Sequence, residues 1–439
     1  MTLTIDNSEC NLEGLNIDQL KKLRSILSYN LPAKPGSTPL RVPLIDKKGT
    51  FPTGLLPIVY RHFKGLGQTL TTKDLRKRPV SQPGLFKMNL GFTPYPEQIE
   101  AAEACLKRTR GIVVAPTGLG KSAIIALIIN KLQVPTLVVV PTLELKRQLT
   151  ETLSATFLSQ KVGSIRDKKP IAVENVDALS SKSYANYDCV IIDEFHHSGA
   201  KTYRKLNKTA WKRTYYKFGM TATPFRSQDN EKLLLESVLS EVVYNINYVS
   251  CVSKGYIVPM ECYFIDVPRT RVTGTTWKAV YNEIVVNNEE RNKIIQLILD
   301  KLDKHDVSTL CLVKEIQHGI NLATTFISGK DDWTPEMIKK FNKCQIKTLV
   351  ATTGIMGEGV DTKPAEYVII AGLGKSRPAF MQQCGRGFRN YPGKGSCKVI
   401  LFRDPSHRWS LNHFKEQCKI LKNEYGIIPA RLDIDIFNE

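Results

Sequence analysis

The sequence predicts an α/β fold with two tandem domains, each built on a mostly parallel β-sheet, and a small α+β domain ahead of them. Short apolar runs alternate with helical segments from residue 111 onward, the pattern of β-α-β units. The alternation restarts near residue 261, and 439 residues exceed the size at which a single core stops growing. The predicted domains are 1–88, 89–252 and 253–404, with a C-terminal tail over 405–439.

The individual elements follow from local pattern. Strands are predicted where four to six apolar residues run together, at 111–114, 136–140, 171–173, 189–192, 215–218, 309–313, 347–352, 367–370 and 398–401. Helices are predicted over 99–107 and 143–157. No short-period repeat interrupts this order, which excludes a solenoid.

The chain begins with a helix signal and then a loop signal. Asn16 and Gln19 fit a capping box, and apolar residues recur on one helical face from Ile17 to Leu27. We therefore predict an amphipathic helix over residues 16–29. The proline-rich stretch 31–39 predicts an exposed loop.

The segment from Leu40 to Asn89 is strongly basic. It contains only two acidic residues, Asp46 and Asp74. Its basic residues include Lys47, Lys48, Arg61, Lys64, Lys73, Arg76, Lys77 and Arg78. This composition predicts a small α+β accessory domain with a basic surface that a ligand could use, although a solvated basic face without a ligand is supported about equally well.

A glycine-rich loop connects a buried strand to an apolar helix. It reads Ala115-Pro116-Thr117-Gly118-Leu119-Gly120-Lys121-Ser122. Such a loop turns backbone N–H groups towards phosphate, and the helix N-terminus adds positive potential. Lys121 would reach the β- and γ-phosphates, and the Ser122 hydroxyl would bind Mg²⁺. Ala115 stands where the first glycine of such loops usually lies, and the less favoured alternative is a plain helix-capping turn.

A second strand ends on two carboxylates. Apolar residues 189–192 lead directly into Asp193 and Glu194. Asp193 would hold Mg²⁺ through water, while Glu194 would orient and deprotonate an attacking water molecule. Upstream of the glycine-rich loop, Gln98 offers an amide donor and acceptor that would read an adenine edge.

Charge and cysteine usage restrict the partners. A formal net charge of +20 with pI about 9.4 favours a polyanionic partner. An anionic membrane competes with nucleic acid for that role, but no apolar run approaches the ~18 residues of a membrane span. The N-terminus does not resemble a signal peptide.

The ten cysteines show no metal-ligand spacing and several, including Cys189, Cys311 and Cys344, lie in apolar strand-like runs. We expect reduced thiols, no structural metal and a cytoplasmic protein, in a phage host if phage-encoded.

Over residues 92–404 these motifs, taken in order, resemble the superfamily 2 helicases and nucleic-acid translocases. The resemblance implies two RecA-like domains, ATP with Mg²⁺ as cofactors, and DNA as partner. Residues implied to bind the nucleotide are Gln98, Thr117, Gly118, Leu119, Gly120, Lys121, Ser122, Gly359 and Asp361. Residues implied to couple nucleotide state to grip are His196, Thr221, Thr223 and Gln382, and those implied to contact DNA are Pro141, Thr142, Thr352 and Thr353.

The last motif of the family supplies arginine fingers. Arg386 and Arg389 match it, and they would neutralise the γ-phosphate when the two domains close. Their spacing predicts that they lie one helical turn apart and face the same way. Two departures stand out: Tyr95 replaces an arginine found in many relatives, and residues 173–177 lack the threonine and glutamine of a further DNA motif.

Three short stretches resemble the phage-type branch-migration helicases within this superfamily. They are residues 255–259, 287–292 and 402–408. The resemblance implies a monomeric ATP-dependent DNA helicase that unwinds or branch-migrates forks and four-way junctions in recombination, repair or replication. It also implies that the N-terminal domain, residues 1–88, engages duplex DNA. An RNA helicase and a nucleic-acid-dependent ATPase without strand separation remain the alternatives.

Overall fold

The computed structural model describes residues 1–31, 40–179, 186–195, 200–222, 229–323, 325–329, 331–355, 362–372 and 374–433. Contacts divide the chain into two units. The first comprises residues 1–115 and 120–246, and the second comprises residues 116–119 and 247–439. None of the helices within the described ranges is long and apolar enough to cross a membrane.

The strands are β1 Thr2–Ile5, β2 Glu9–Glu13, β3 Ser28–Leu31, β4 Leu40–Pro43, β5 Thr50–Pro52, β6 Thr71–Asp74, β7 Arg110–Val114, β8 Thr136–Val140, β9 Val162–Gly163, β10 Ile171–Asn175, β11 Cys189–Asp193, β12 Tyr216–Thr221, β13 Val242–Asn245, β14 Met260–Asp266, β15 Thr309–Val313, β16 Phe326–Ile327, β17 Thr348–Thr352, β18 Tyr367–Ile370, β19 Cys397–Arg403 and β20 Ala430–Arg431. The α-helices are α1 Ile17–Ile26, α2 Leu56–Gly65, α3 Pro96–Leu106, α4 Lys121–Leu132, α5 Leu143–Thr156, α6 Ala200–Lys208, α7 Asp229–Leu239, α8 Tyr248–Ser253, α9 Trp277–Tyr281, α10 Glu289–Lys304, α11 Ile316–Leu322, α12 Thr334–Asn342, α13 Arg377–Gly385 and α14 Arg408–Ile420.

The first unit contains a seven-stranded parallel sheet in the order β13-β7-β12-β11-β8-β10-β9. Every residue of its five central strands is buried, because helices cover both faces. This is why those strands consist mainly of consecutive apolar residues rather than of alternating apolar and polar ones, with Lys217 and Glu174 among the buried exceptions. The α/β fold predicted for this part of the chain is confirmed.

The second unit repeats the architecture. Its seven strands run parallel in the order β16-β17-β15-β18-β19-β14-β20. Residues beyond 404 take part in it, since α14 packs on the sheet side and β20 pairs with β14. One cysteine placement was wrong: Cys344 follows α12 at φ +56° and lies outside any strand.

The N-terminal segment forms a four-stranded mixed sheet, β5-β2-β1-β6, with α1 and α2 beside it. The capping box is confirmed, because the Asn16 side chain accepts the Gln19 backbone N–H and the Gln19 side-chain carbonyl accepts the Asn16 backbone N–H. The predicted helix was too long, since α1 ends at Ile26. Ile17, expected on the apolar face, is 73% exposed, whereas Leu23 is fully buried.

Buried cations join this segment to the first parallel sheet. The backbone carbonyl of Asn7 accepts from the Arg110 guanidinium and, at 3.0 Å, from Lys217 Nζ. Lys217 also donates to Asn207 Oδ1 at 2.6 Å. Burial lowers the pKa of Arg110 to about 9 and the pKa of Lys217 well below its usual value. Because both side chains come from the sheet and both bind the same N-terminal carbonyl, the two parts form one packed unit.

Candidate nucleotide and nucleic-acid sites

Three neighbouring strands bring the predicted nucleotide-site residues to one edge of the first sheet. β7 precedes the glycine-rich loop, β11 ends at Asp193, and β12 lies between them. The Ala115 backbone N–H donates to the Thr221 carbonyl at 2.9 Å, which ties the start of the loop to the end of β12. Ligands of open parallel sheets bind at this carboxyl edge.

The glycine-rich loop has the backbone geometry of a phosphate cradle. Gly118 has φ +91° and Gly120 has φ +84°, a region that side chains rarely adopt. Gly120 caps α4 without any side-chain hydrogen bond, so the first-turn N–H groups of the helix face the loop uncapped by a side chain. Ser122 lies in that first turn, and Thr117 is half-buried beside the buried Leu119.

Lys121 and Glu194 form an ion pair at the centre of this edge. Lys121 Nζ lies 2.6 Å from Glu194 Oε1, and both side chains are about nine-tenths buried. Glu194 has φ +47°, an uncommon conformation for glutamate that residues at functional sites often carry. The Asp193 carboxylate accepts the Glu194 backbone N–H at 3.1 Å, which fixes the two acidic residues relative to each other.

Gln98 occupies a structural position beside the same loop. Its Oε1 accepts the Tyr95 backbone N–H at 2.9 Å, and its Nε2 lies 3.4 Å from the Gly120 carbonyl. Gln98 thus caps α3 and touches the loop that precedes α4. The role of Gln98 in reading an adenine edge stays a prediction.

The residues present fit Mg²⁺ and nucleotide phosphates. A cation, a first-turn hydroxyl and two carboxylates converge on an uncapped helix N-terminus, which is the donor set that magnesium-bound phosphates require. Lys121 would bind phosphate oxygens, and Ser122 and Asp193 would hold the metal.

The residues predicted to contact DNA in the first unit lie at the neighbouring strand end. Pro141 and Thr142 follow β8, where Thr142 is exposed and its hydroxyl caps α5 by accepting the Leu145 N–H at 3.2 Å. Asn175 donates to the Pro141 carbonyl at 3.0 Å. Asn175 lies in the stretch that lacks the expected DNA motif, so its support of this loop was missed from sequence.

In the second unit, Thr352 ends β17 and is buried, whereas Thr353 is half-buried and donates its N–H to the Val313 carbonyl at 2.7 Å. Both therefore lie at the carboxyl edge of the second sheet. Gln382 lies buried on α13. Arg291, within a stretch noted only for its resemblance, proves to be fully buried, and its guanidinium donates to the Ala371 carbonyl at 2.7 Å.

The predicted spacing of the arginine fingers on one helical face was wrong. Helix α13 ends at Gly385, so Arg386 is its C-cap and Arg389 lies beyond a turn. A Cβ on Gly387 would lie 1.9 Å from Cys397 Sγ, so the chain closes tightly onto β19 here. Arg386 is buried and Arg389 is half-buried. The two arginines therefore do not share one face of a helix. Their roles as arginine fingers stay predictions.

Four predicted site residues lie outside the described residues. His196 falls in the range 196–199, Thr223 in 223–228, and Gly359 and Asp361 in 356–361.

Comparison with known proteins gives two family matches along the chain. The family described as Type III restriction enzyme, res subunit, matches residues 91–226. The family described as helicase conserved C-terminal domain matches residues 277–391. Each match falls on one of the two parallel sheets.

Relatives and solved structures agree with these families. The chain is 25% identical to DNA 3'-5' translocase XPB2 of Sulfurisphaera tokodaii over 66% of this chain and 77% of that protein. It is 22% identical to ATP-dependent DNA helicase uvsW of Enterobacteria phage T4, covering 81% of this chain and 79% of that one. For other curated relatives the match spans 40% to 65% of their length.

The structure of S. cerevisiae Dbp5 bound to RNA and ADP BeF3 shares the fold, with TM-score 0.58 and 15% identity over 79% of this chain and 91% of that chain. The two sheets are thus RecA-like. Because these two families match in order along the chain, and the curated relatives carry helicase and translocase names, this chain is related to the superfamily 2 helicases.

Proposed function

We propose that this chain is an ATP-dependent DNA helicase or translocase. The observation that carries the proposal is the Lys121–Glu194 pair, 2.6 Å apart beside a glycine-rich loop at the edge of the first sheet. A lysine that binds phosphate and a glutamate that activates water are the two groups that phosphoanhydride hydrolysis requires.

The ion pair also suggests how hydrolysis waits for nucleotide. With Lys121 bound to it, Glu194 accepts from an ammonium group rather than from water. Phosphate oxygens compete for the same ammonium group, so nucleotide binding would free the Glu194 carboxylate to act as a base. Mg²⁺, held by Ser122 and Asp193, would supply charge neutralisation at the phosphates.

DNA is the proposed nucleic acid, and a branched duplex the proposed substrate. The net charge of +20 favours a polyanion, and the relatives that cover most of the chain are named as a DNA translocase and a DNA helicase. The phage T4 relative matches across 81% of this chain. We place the activity in the cytoplasm, where ten free cysteines, eight of them buried, stay reduced.

The N-terminal segment is the proposed junction-binding module, but only part of its basic surface is available for that role. Arg76 binds Asp74 with two hydrogen bonds of 2.9 and 2.7 Å, and Arg78 donates to the Tyr216 hydroxyl at 3.2 Å. These arginines hold the segment together and against the first sheet. Exposed lysines of the segment that make neither of these contacts include Lys47, Lys48, Lys73 and Lys77.

Charge reversal separates these two sets. Substituting Lys47, Lys48 and Lys77 with Glu should weaken junction binding and make its salt dependence shallower, by roughly 0.9 in log–log slope per lost phosphate contact. ATP hydrolysis stimulated by single-stranded DNA should persist. A matched triple reversal at Lys304, Lys339 and Lys343, exposed lysines of the second unit, is the control. Unchanged junction binding in the first variant would remove this surface from substrate selection.

A translocase without strand separation is the second candidate. It is favoured by the match to a restriction-enzyme subunit family and by the translocase name of one relative. ATP hydrolysis measured with duplex DNA, single-stranded DNA, duplex RNA and no nucleic acid tests the proposal as a whole. We expect stimulation by DNA over RNA. Equal or greater stimulation by RNA would make the chain an RNA helicase, and stimulation by DNA without strand displacement would favour the translocase.

A further inference from the structure

A cavity of about 500 Å³ lies at the carboxyl edge of the second sheet. Its floor is formed where three adjacent strands, β17, β15 and β18, end. Helices α13 and α14 and the start of α9 supply its walls. The volume is within the ~300–1,000 Å³ range of small-ligand sites, and the location is where open α/β sheets bind ligands.

Aromatic rings dominate one wall of this cavity. Trp277 meets Trp409 at 5.8 Å between ring centroids with an interplanar angle of 78°, and it meets His413 at 4.6 Å and 63°. The rings contact one another edge to face, so they do not cover each other as a parallel stack would. Flat aromatic surface of this kind accepts any nucleobase, since every base has a π face.

The cavity is basic as well as aromatic. Lys314 and Lys375 line it, and none of the described residues that line it carries a carboxylate. The Arg408 guanidinium lies 5.9 Å from the centroid of the Trp409 ring. An apolar side chain of a protein partner has no need of these cations, whereas a nucleotide brings a phosphate to meet them.

Hydrogen-bonding groups complete the lining. Gln383, Gln417 and Ser376 contribute amide and hydroxyl groups. His413 Nδ1 is buried and has no hydrogen-bond partner among the described residues. Burial, with further lowering by Lys375 and Lys314, depresses the pKa of His413, so its imidazole is neutral at pH 7 and can accept as well as donate.

We propose that this cavity holds an unpaired base of the DNA strand whose phosphate is bound by Thr353. Thr353 lies on the cavity wall, and Lys314 and Lys375 flank it on the same lining, so a phosphate bound there has its base within reach of the two tryptophans. The inference rests on the proposed DNA-dependent function. It goes further by giving the second unit a base-holding site in addition to backbone contacts, which would let it distinguish an unpaired strand from a duplex, where bases are stacked and paired.

Two variants close or strip the cavity by different means. Gly374→Leu fills it, because a Cβ at Gly374 meets nothing within 4 Å and the backbone there is not in the left-handed region. Trp409→Ala removes a stacking surface. Gly395→Leu is the matched control for the first, since Gly395 has equal open space but precedes β19 at the opposite edge of the sheet. Trp333→Ala, at a 57% exposed tryptophan, is the control for the second.

The measurement is the Kd of an intact single-stranded oligodeoxynucleotide and of the same strand with abasic central residues. For the wild-type protein and both controls, removal of the bases should weaken binding by roughly 5- to 150-fold, the range that ~1–3 kcal/mol per stacked base gives. For Gly374→Leu and Trp409→Ala the two Kd values should converge, with the abasic strand bound as by wild type.

Wild-type discrimination in both cavity variants would overturn the base-holding site. The same preparations are assayed for DNA-stimulated ATP hydrolysis, so that the two claims fail separately. If DNA stimulates ATP hydrolysis but both cavity variants still distinguish the intact from the abasic strand, only the base-holding site is refuted. If no nucleic acid stimulates ATP hydrolysis by the wild-type protein, the proposed function is refuted and this inference with it.

Discussion

Each of the two sheets has seven parallel strands, but the residues at their carboxyl edges carry different chemistry. In the first, the strand ends present a lysine and a glutamate 2.6 Å apart beside a glycine-rich loop. In the second, they open into an aromatic, lysine-lined cavity of about 500 Å³. The first edge is suited to holding phosphate and activating water, and the second is suited to holding a strand.

The comparison shows that the strand order does not determine the function of each unit. Both sheets supply a carboxyl edge with room for a ligand, and the residues just beyond each strand decide what binds there. After β7 these residues are glycines and a lysine, and after β15 and β18 they are a lysine and a glycine beside tryptophans from helices. Variants at either edge therefore test whether the roles are separate.

The largest effect is expected at Arg386 and Arg389, the arginines that the family resemblance assigns as arginine fingers. Arg386→Ala or Arg389→Ala should lower the turnover of ATP by roughly 10³-fold or more, because a lost arginine finger removes charge that stabilises the transferring phosphoryl group. ATP affinity should remain within about tenfold of wild type. Arg271→Ala, at an exposed arginine of the same unit, is the control. Normal turnover in both variants would show that the second unit does not take part in hydrolysis.

Removing the proposed general base, Glu194, should have the next largest effect. Glu194→Gln keeps the shape and hydrogen-bonding reach of the side chain but cannot accept a proton, so turnover should fall by roughly 10²- to 10⁴-fold. ATP should still bind, and a stable DNA complex should form with ATP present. Lys121→Ala should instead weaken both ATP binding and hydrolysis. Near-normal hydrolysis by the glutamine variant would take Glu194 out of its catalytic role.

Sequence predicted the strands that form both edges because their burial leaves a local record. All five residues of β7, β8 and β11 are buried, and each of these strands therefore contains four consecutive non-polar residues. The capping box at Asn16 is equally local, since both partners lie within one turn. The phosphate loop was recognisable because glycine is needed where φ is positive.

Features set by distant contacts could not be read in this way. The end of α13 depends on Gly387 packing onto Cys397, and the burial of Lys217 depends on a carbonyl of the N-terminal segment. Neither contact leaves a periodic signal. The cavity is built from side chains between positions 277 and 417, so only the folded sheet brings them together.

A smaller effect is expected on the stability of the second unit. Burial, with Arg291 adding to it, lowers the pKa of His318 from 6.5 to about 3, and its Nε2 lies 3.1 Å from Asn292 Oδ1. The unfolded chain therefore binds a proton below pH 6.5 while the folded chain stays neutral until about pH 3. As the pH falls through this window, the free energy of unfolding should fall by about 1.4 kcal/mol for each pH unit. Above pH 6.5 the imidazole should contribute no such slope.

Urea unfolding across that pH range measures this effect. His318→Gln keeps a hydrogen-bonding side chain without the titration, so its stability should depend less on pH. The exposed His305 substituted in the same way is the control. Parallel slopes for wild type and His318→Gln would mean that the buried imidazole does not set the acid sensitivity of this unit.

The central claim is that ATP hydrolysis at the carboxyl edge of the first sheet drives the separation of DNA strands. Displacement of a labelled strand from a forked DNA and from a four-way junction, followed with ATP, with a non-hydrolysable analogue and with Glu194→Gln, measures this. We predict ATP-dependent displacement by the wild-type protein on both substrates and none in the other two conditions. Displacement that proceeds equally with the analogue or with Glu194→Gln would contradict the account, because strand separation would then not be driven by the Lys121–Glu194 site.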